Sequence, residues 1–387
     1  MSKFKDAAAA AASGRRGFLK AGAATAAGGA ALLAAPHIAR AQTQSWTIQS
    51  GWPSGDICRE LAQDYGDKCN AMSGGRLTMN LLPAGAVVGA LELQDAIVGG
   101  ALDGAHGVTA YWYGKDKAAS LFGTPPAFGW NANQFLGWMK YGDGQELYDE
   151  LIQDILGLDL MGFLTGPMPT QALGWFRQPI TTASELEGLR YRTVGLAADL
   201  FEELGVAVTI LGGPDIVPAL DRGVIDAAEF NNPSSDRHLG FQDVADHWML
   251  QSYHQDAEAF ELSFNKSRFE ALEEDLQAIV RNAAEAASAD MSWKAMARYP
   301  DSQIALVEED GIELHITPDE ILDAQLAAWD AVIERNSAEN EFFGRVIESQ
   351  REWVRKVVGF SQINEAPKQR AYEHFFGDDN PITVTDL

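Results

Sequence analysis

The sequence predicts an α/β protein of two lobes, closed off by a mostly helical C-terminal region. Three observations predict it. A β–α–β–α–β spacing runs from Trp46 to Val108 and recurs from Gly188 to Phe230. Strands alternating with helices imply parallel sheets covered on their faces. From Lys266 onward the apolar spacing is helical over three long stretches, 270–296, 318–336 and 338–358. The chain has 387 residues, which suits one large or two medium domains once its leader is set aside.

That leader is residues 1–41. Arg15-Arg16-Gly17-Phe18-Leu19-Lys20 precedes a weakly apolar Ala/Gly run from Ala21 to Ala35, and Ala39-Arg40-Ala41 supplies an A-x-A cleavage pattern. The run is too short and glycine-rich for a membrane span of about 20 residues. Paired arginines point to the twin-arginine route, so the mature chain is expected to start near Gln42 in the periplasm, with no membrane insertion of its own.

Charge excludes some partners. The net charge is −26; the leader holds six of the 29 basic residues and one of the 55 acidic ones, which leaves the mature chain near −31. Such a surface repels nucleic acid and anionic lipid. An acid bound here therefore needs a local cationic partner.

The elements follow in order. Trp46–Ser50 reads as a strand, broken by Gly51-Trp52-Pro53-Ser54-Gly55. Asp56 can cap a helix to about Met72, ended by Ser73-Gly74-Gly75. Cys58 and Cys69 both fall in that helix, about 16 Å apart along its axis, too far to bridge each other. Leu77–Leu82 is a strand, Leu91–Val98 a helix and Asp103–Val108 a short buried strand. Gly144–Ile155 reads as a helix and Leu158–Leu164 as a strand. The second unit is strand 188–192, helix 197–204, strand 206–211, helix 215–222 and strand 227–230.

No G-x-S-x-G elbow, phosphate loop, H-E-x-x-H or dinucleotide fingerprint occurs. Seven histidines are scattered; His247 and His254 read better as surface or core residues than as ligands. Two segments stand out instead. Arg190 and Arg192 alternate on a strand and face one way, with Tyr191 opposite. An arginine fork suits a carboxylate, and Arg192 sits at the strand end. The segment Gly223–Pro233 then delivers Glu229, Asn231 and Asn232 at the carboxyl end of a short strand, where ligands sit in open α/β sheets. On spacing alone, Asn231-Asn232-Pro233 reads equally as a helix cap and turn.

These segments carry a resemblance. Leu186-Glu187-Gly188-Leu189-Arg190-Tyr191-Arg192 resembles the L-x-G-[LM]-[KR]-x-R strand of solute receptors of tripartite ATP-independent periplasmic (TRAP) transporters, and residues 218–229 are similar to a second motif of that family. Residues 95–103 match an early one. Trp52-Pro53, Tyr111-Trp112, 144–147 and 171–176 resemble the branch that binds 2-oxo acids through a metal ion. The resemblance implies a two-lobed periplasmic binding-protein fold with a ligand cleft between the lobes. It places lobe I at 42–165 and 247–300, and lobe II at 166–246 and 301–387. It implies a non-enzymatic receptor that delivers a small carboxylate to membrane subunits of a TRAP transporter. Arg192 would bind the carboxylate, Gln171 and Asn231 would donate hydrogen bonds, and Trp52, Tyr111 and Phe230 would wall the ligand. Glu229, the backbone of Phe230 and Gln255 would hold sodium or calcium; no organic cofactor is implied. Relatives include monomers and dimers, so a homodimer stays open. The rival reading is an exported enzyme whose cofactor is inserted before export; the missing Cys/His clusters and cofactor loops speak against it.

Overall fold

The computed structural model describes residues 43–377 and 379–387; the leader, its arginine pair and its cleavage pattern lie outside the described residues. Among the described residues, eleven strands form two sheets. In chain order they are β1 (Gln44–Ser50), β2 (Leu77–Leu82), β3 (Gly104–Gly107), β4 (Leu160–Met168), β5 (Gly174–Phe176), β6 (Arg190–Arg192), β7 (Ala207–Thr209), β8 (Ala227–Ala228), β9 (His247–Leu250), β10 (Glu258–Asn265) and β11 (Glu313–Ile316). The first sheet has the order β2-β1-β3-β10-β4 and the second β11-β9-β5-β8-β6-β7.

The first unit forms as its pattern dictates. β1 lies between β2 and β3, parallel to both, with Ile48 opposite Leu81 and Gly104. The connecting helix, Ile57–Met72, is capped by Asp56, whose carboxylate accepts the Cys58 amide at 2.7 Å. Its buried stripe is Ile57, Cys58, Leu61, Ala62, Tyr65, Gly66 and Cys69, the i, i+3/i+4 spacing of one helix face. Both cysteines are buried and free. Trp46, Ile48, Leu77 and Met79 meet that stripe and the long helix Glu274–Glu308 in one core. This helix runs past the expected end at Met296, through Pro300; proline costs it one hydrogen bond without ending it.

Sequence reasoning placed no strand between Phe230 and Lys266, yet β9 and β10 lie there, in different sheets. β10 is buried along nearly its whole length, between β3 and β4 and antiparallel to both. The expected boundary put residues 247–250 in lobe I; β9 pairs with β5 and β11 in the second sheet instead. The crossing falls between Leu250 and Glu258. A second correction concerns the C-terminal helix Glu341–Asn364, expected with lobe II. Its buried face lies against residues 117–141: Gln350 donates to the Leu121 carbonyl, and Trp353 to that of Gln134. An amphipathic helix follows whichever apolar surface is uncovered, and sequence periodicity does not say which.

Two connectors between the sheets touch. Residues 169–173 lead from β4 to β5 and residues 251–257 from β9 to β10. The Gln171 amide donates to the Gln255 carbonyl at 3.1 Å, and Thr170 Oγ1 donates to Asp256. Gln251 holds a left-handed φ of 67° in the second connector, a strained state for a non-glycine residue.

Candidate functional site

The carboxyl ends of strands from both sheets converge. β1 ends two residues before Trp52 and β3 four before Tyr111; β6 ends at Arg192, and β8 one residue before Glu229. β6 and β8 are parallel neighbours, with Arg192 opposite Ala228. Their common ending sets Arg192 beside Glu229.

Arg192 is 1% exposed. Its Nη1 donates to Oε1 and to the backbone oxygen of Glu229 at 3.0 and 2.8 Å, while Nε and Nη2 donate to the Leu211 carbonyl at 3.0 and 2.8 Å. Of the five guanidinium N–H groups, four are thus engaged by the protein. This corrects the picture of a free fork awaiting a carboxylate: one Nη2 N–H remains. Arg190, at the other end of the same strand, is exposed and pairs with Asp226, outside the site.

Gln171 and Asn231 both donate to Oε2 of Glu258, each at 2.8 Å. Sequence reasoning missed Glu258. It opens β10 and is 3% exposed. The only sequence signal was an acidic residue in an alternating stretch, Ala257 to Phe264, in which Glu258, Glu261 and Ser263 are interspersed with apolar residues as in ordinary strands. Burial pushes the Glu258 carboxyl up to about 8, helped by the charge of Glu229 and opposed by the two amide donors and Arg192. Burial also raises Glu229, against the pull of Arg192 and Thr193.

Aromatic walls meet across the sheets. Trp52 lies 6.3 Å from Tyr111 and 6.2 Å from Phe230, centroid to centroid. The Arg192 guanidinium stands 5.8 Å over the Phe230 ring. Trp52 Nε1 donates to His106 Nδ1 at 2.8 Å, which holds that ring in place; burial takes the His106 pKa down to about 3, so it accepts as a neutral imidazole. Gly213 has no Cβ because one would stand 2.5 Å from the Phe230 ring.

The eight residues that the resemblance assigns to the site therefore gather in one region, Gln255 through its backbone carbonyl, with Glu258 and His254 added, whereas Arg190 stays outside. His254 is fully buried; Ser252 contacts its Nδ1 at 2.7 Å, and burial, with the charge of Arg192, lowers its pKa to about 3.

Several buried atoms here have no hydrogen-bond partner: Glu229 Oε2, Gln171 Oε1, Gln255 Nε2 and His254 Nε2. Unpaired buried polar atoms each cost about 1–3 kcal/mol. A carboxylate oxygen and an amide oxygen left over in one buried site form the beginnings of a hard-cation shell. The residues fit a sodium or calcium ion. Gln255 would need its amide turned to present oxygen.

The sequence model of the DctP family, described as bacterial extracellular solute-binding protein, family 7, matches residues 48–339. A monocarboxylate 2-oxoacid-binding periplasmic protein of Nostoc sp. strain PCC 7120 is 27% identical over 330 residues, covering 85% of this chain and 88% of that one. Among solved structures, a TRAP transporter solute-binding protein from Bordetella bronchiseptica, a mixed-occupancy dimer with co-purified calcium and picolinate, superposes with a TM-score of 0.80 at 25% identity, over 86% of this chain and 97% of that one. One from Pseudoalteromonas atlantica with bound sodium and pyruvate gives 0.79 at 26%, over 87% and 100%.

Proposed function

The chain belongs to the DctP family of bacterial extracellular solute-binding proteins, and from that premise we propose that this TRAP receptor captures a small 2-oxo monocarboxylate, pyruvate or a near relative, together with a sodium or calcium ion. The observation that carries the proposal is the buried pair Arg192–Glu229 with unpartnered oxygens on Glu229 and Gln171 beside it. A 2-oxo acid presents a carboxylate and a carbonyl oxygen in one plane. The cation would take oxygens of the ligand together with Glu229, the Phe230 backbone and Gln255. The remaining Nη2 N–H of Arg192 and the second N–H of Gln171 and Asn231 would face the ligand, between Trp52, Tyr111 and Phe230.

Charge counting supports a cation. Arg192 and Glu229 cancel, so a monoanionic ligand needs one more positive charge in a dry site. Sodium balances it if Glu258 is protonated. Calcium balances it if Glu258 is ionised. Closure of the two lobes over this set would make the bound form the one that the membrane subunits read. Among the described residues no helix is long and apolar enough to cross a membrane. As a finer reading, the chain reaches the periplasm by the twin-arginine route and begins near Gln42 when processed. It also pairs as a homodimer: Phe360, Ile363, Phe375 and Phe376 are 56–86% exposed on the last helices, and light scattering tests this.

Calorimetric titration with pyruvate after metal removal, then with sodium or calcium restored, tests the main reading. Binding should be weak without cation and recover with it. Equal affinity in sodium-free chelator and in calcium would reject the cation-bridged model; no binding of any small 2-oxo acid under either condition would reject the ligand class.

A further inference from the structure

A second group of cation-ligating side chains lies outside the cleft, at the edge of the second sheet. β11 is the outermost strand and runs parallel to β9, with Glu313 opposite His247 and His315 opposite Met249. Alternation puts Glu313 and His315 on one face of β11. His247 Nδ1 and His315 Nε2 face each other at 3.0 Å, and Glu313 Oε2 lies 3.7 and 3.8 Å from them. The point equidistant from these three atoms is about 2.0 Å from each, by the geometry of that triangle. Zinc binds imidazole nitrogen at about 2.0–2.1 Å and carboxylate oxygen at about 2.0–2.2 Å. The spacing of the three atoms thus matches the reach of one such ion, with water left to complete the shell.

The ring of His315 is oriented from behind. Its Nδ1 lies 3.1 Å from the Thr385 carbonyl. A carbonyl only accepts, so Nδ1 carries the proton and Nε2 presents its lone pair to the triangle. Metal-binding histidines are held by this kind of backing hydrogen bond. The Thr385 amide also donates to Leu314 O at 2.7 Å, so the chain end is laced to the same strand. His315 is buried, while the Glu313 side chain is half exposed, which gives an ion a way in. Between the two imidazoles there is room for one proton only; an incoming ion displaces it to solvent.

We propose that His247 Nδ1, Glu313 Oε2 and His315 Nε2 hold a zinc-class divalent ion, separate from the cleft cation, that ties β9 to β11 and through His315 to the chain end. Ligand chemistry separates the two sites: oxygen donors suit sodium or calcium, whereas two imidazoles and a carboxylate suit zinc and its first-row neighbours. His247 is therefore a ligand in this reading, where its sequence spacing suggested none.

The test is zinc titration of the metal-stripped protein with calcium and pyruvate present, so that the cleft is occupied. One zinc per chain is expected, with a rise in unfolding temperature. His247→Ala and Glu313→Gln should each weaken zinc binding at least about tenfold and leave pyruvate affinity unchanged. His247→Cys, which keeps a zinc ligand, should restore it. Cobalt substitution should give a visible absorption band that His247→Ala lacks. No zinc uptake by the wild-type protein, or wild-type zinc affinity in either His247→Ala or Glu313→Gln, overturns the site.

Discussion

Replacing Arg192 with alanine should cost stability as well as ligand affinity, and the two losses should separate. From the motif alone, this arginine is a ligand anchor whose removal leaves the unliganded protein untouched. Its surroundings say otherwise. The side chain is 1% exposed and donates to Glu229 Oε1, Glu229 O and Leu211 O. Removing it leaves a buried carboxylate without a counter-charge, which costs about 3–5 kcal/mol. The unfolding temperature without ligand should fall by several degrees. Arg192→Ala with Glu229→Gln removes the orphaned charge and should recover much of that loss. Linkage gives a further check. Burial already raises Glu229, and losing Arg192 raises it further. A carboxyl raised in the folded state is protonated there first, so the deficit should be small near pH 4.5 and grow as pH rises through the folded pKa. Pyruvate affinity should drop by about 2–5 kcal/mol, roughly 30-fold to several thousand-fold, in the single variant, and at least as far in the double, which also loses the cation's carboxylate. Thermal unfolding without ligand and calorimetry with calcium and pyruvate are the assays. An Arg192→Ala protein with wild-type stability at pH 7.5 would refute the buried-pair argument; wild-type pyruvate affinity would refute the anchor.

Four further outcomes are expected. Glu258, raised to about 8, should release close to one proton when calcium and pyruvate bind at pH 7 and far less with sodium; calorimetry in buffers of different ionisation enthalpy reads this, and equal release would contradict the charge balance. Gly195 has φ +63°, and a Cβ there would stand 2.8 Å from Ala110 and Ser120; Gly195→Ala should cost about 1–3 kcal/mol of stability, seen as a lower unfolding temperature. Burial pushes the Cys69 thiol up to about 12 and raises Cys58 well above its ordinary value, so a thiol reagent at pH 8 should label neither in the native protein and both after denaturation. Arg15→Lys with Arg16→Lys should leave unprocessed chain in the cytoplasm, whereas wild-type periplasmic material should begin near residue 42 on N-terminal sequencing.

The sequence alone determined the local elements and one end of the site. β1, the capped helix Ile57–Met72, β2 and β3 follow from alternation, caps and glycine breaks, because those signals act within a few residues. Arg192 and Glu229 were legible for the same reason: each stands at the end of a short strand read directly from its own segment. What the sequence did not contain is which strand lies beside which. β10 reads locally as one stretch of mixed polar and apolar residues among others; only its place between β3 and β4 makes Glu258 a buried acid against Gln171 and Asn231. The two connectors, 169–173 and 251–257, touch because the chain crosses between sheets there, and that contact brings Gln171 to Gln255. The engaged state of the Arg192 fork, and the meeting of His247 with His315 across 68 positions, likewise depend on strand order. Hydrogen-bond partners and burial are properties of neighbours in space. Local sequence signals reach only neighbours along the chain, so the tertiary structure alone decided how these groups were charged and to what they were bound.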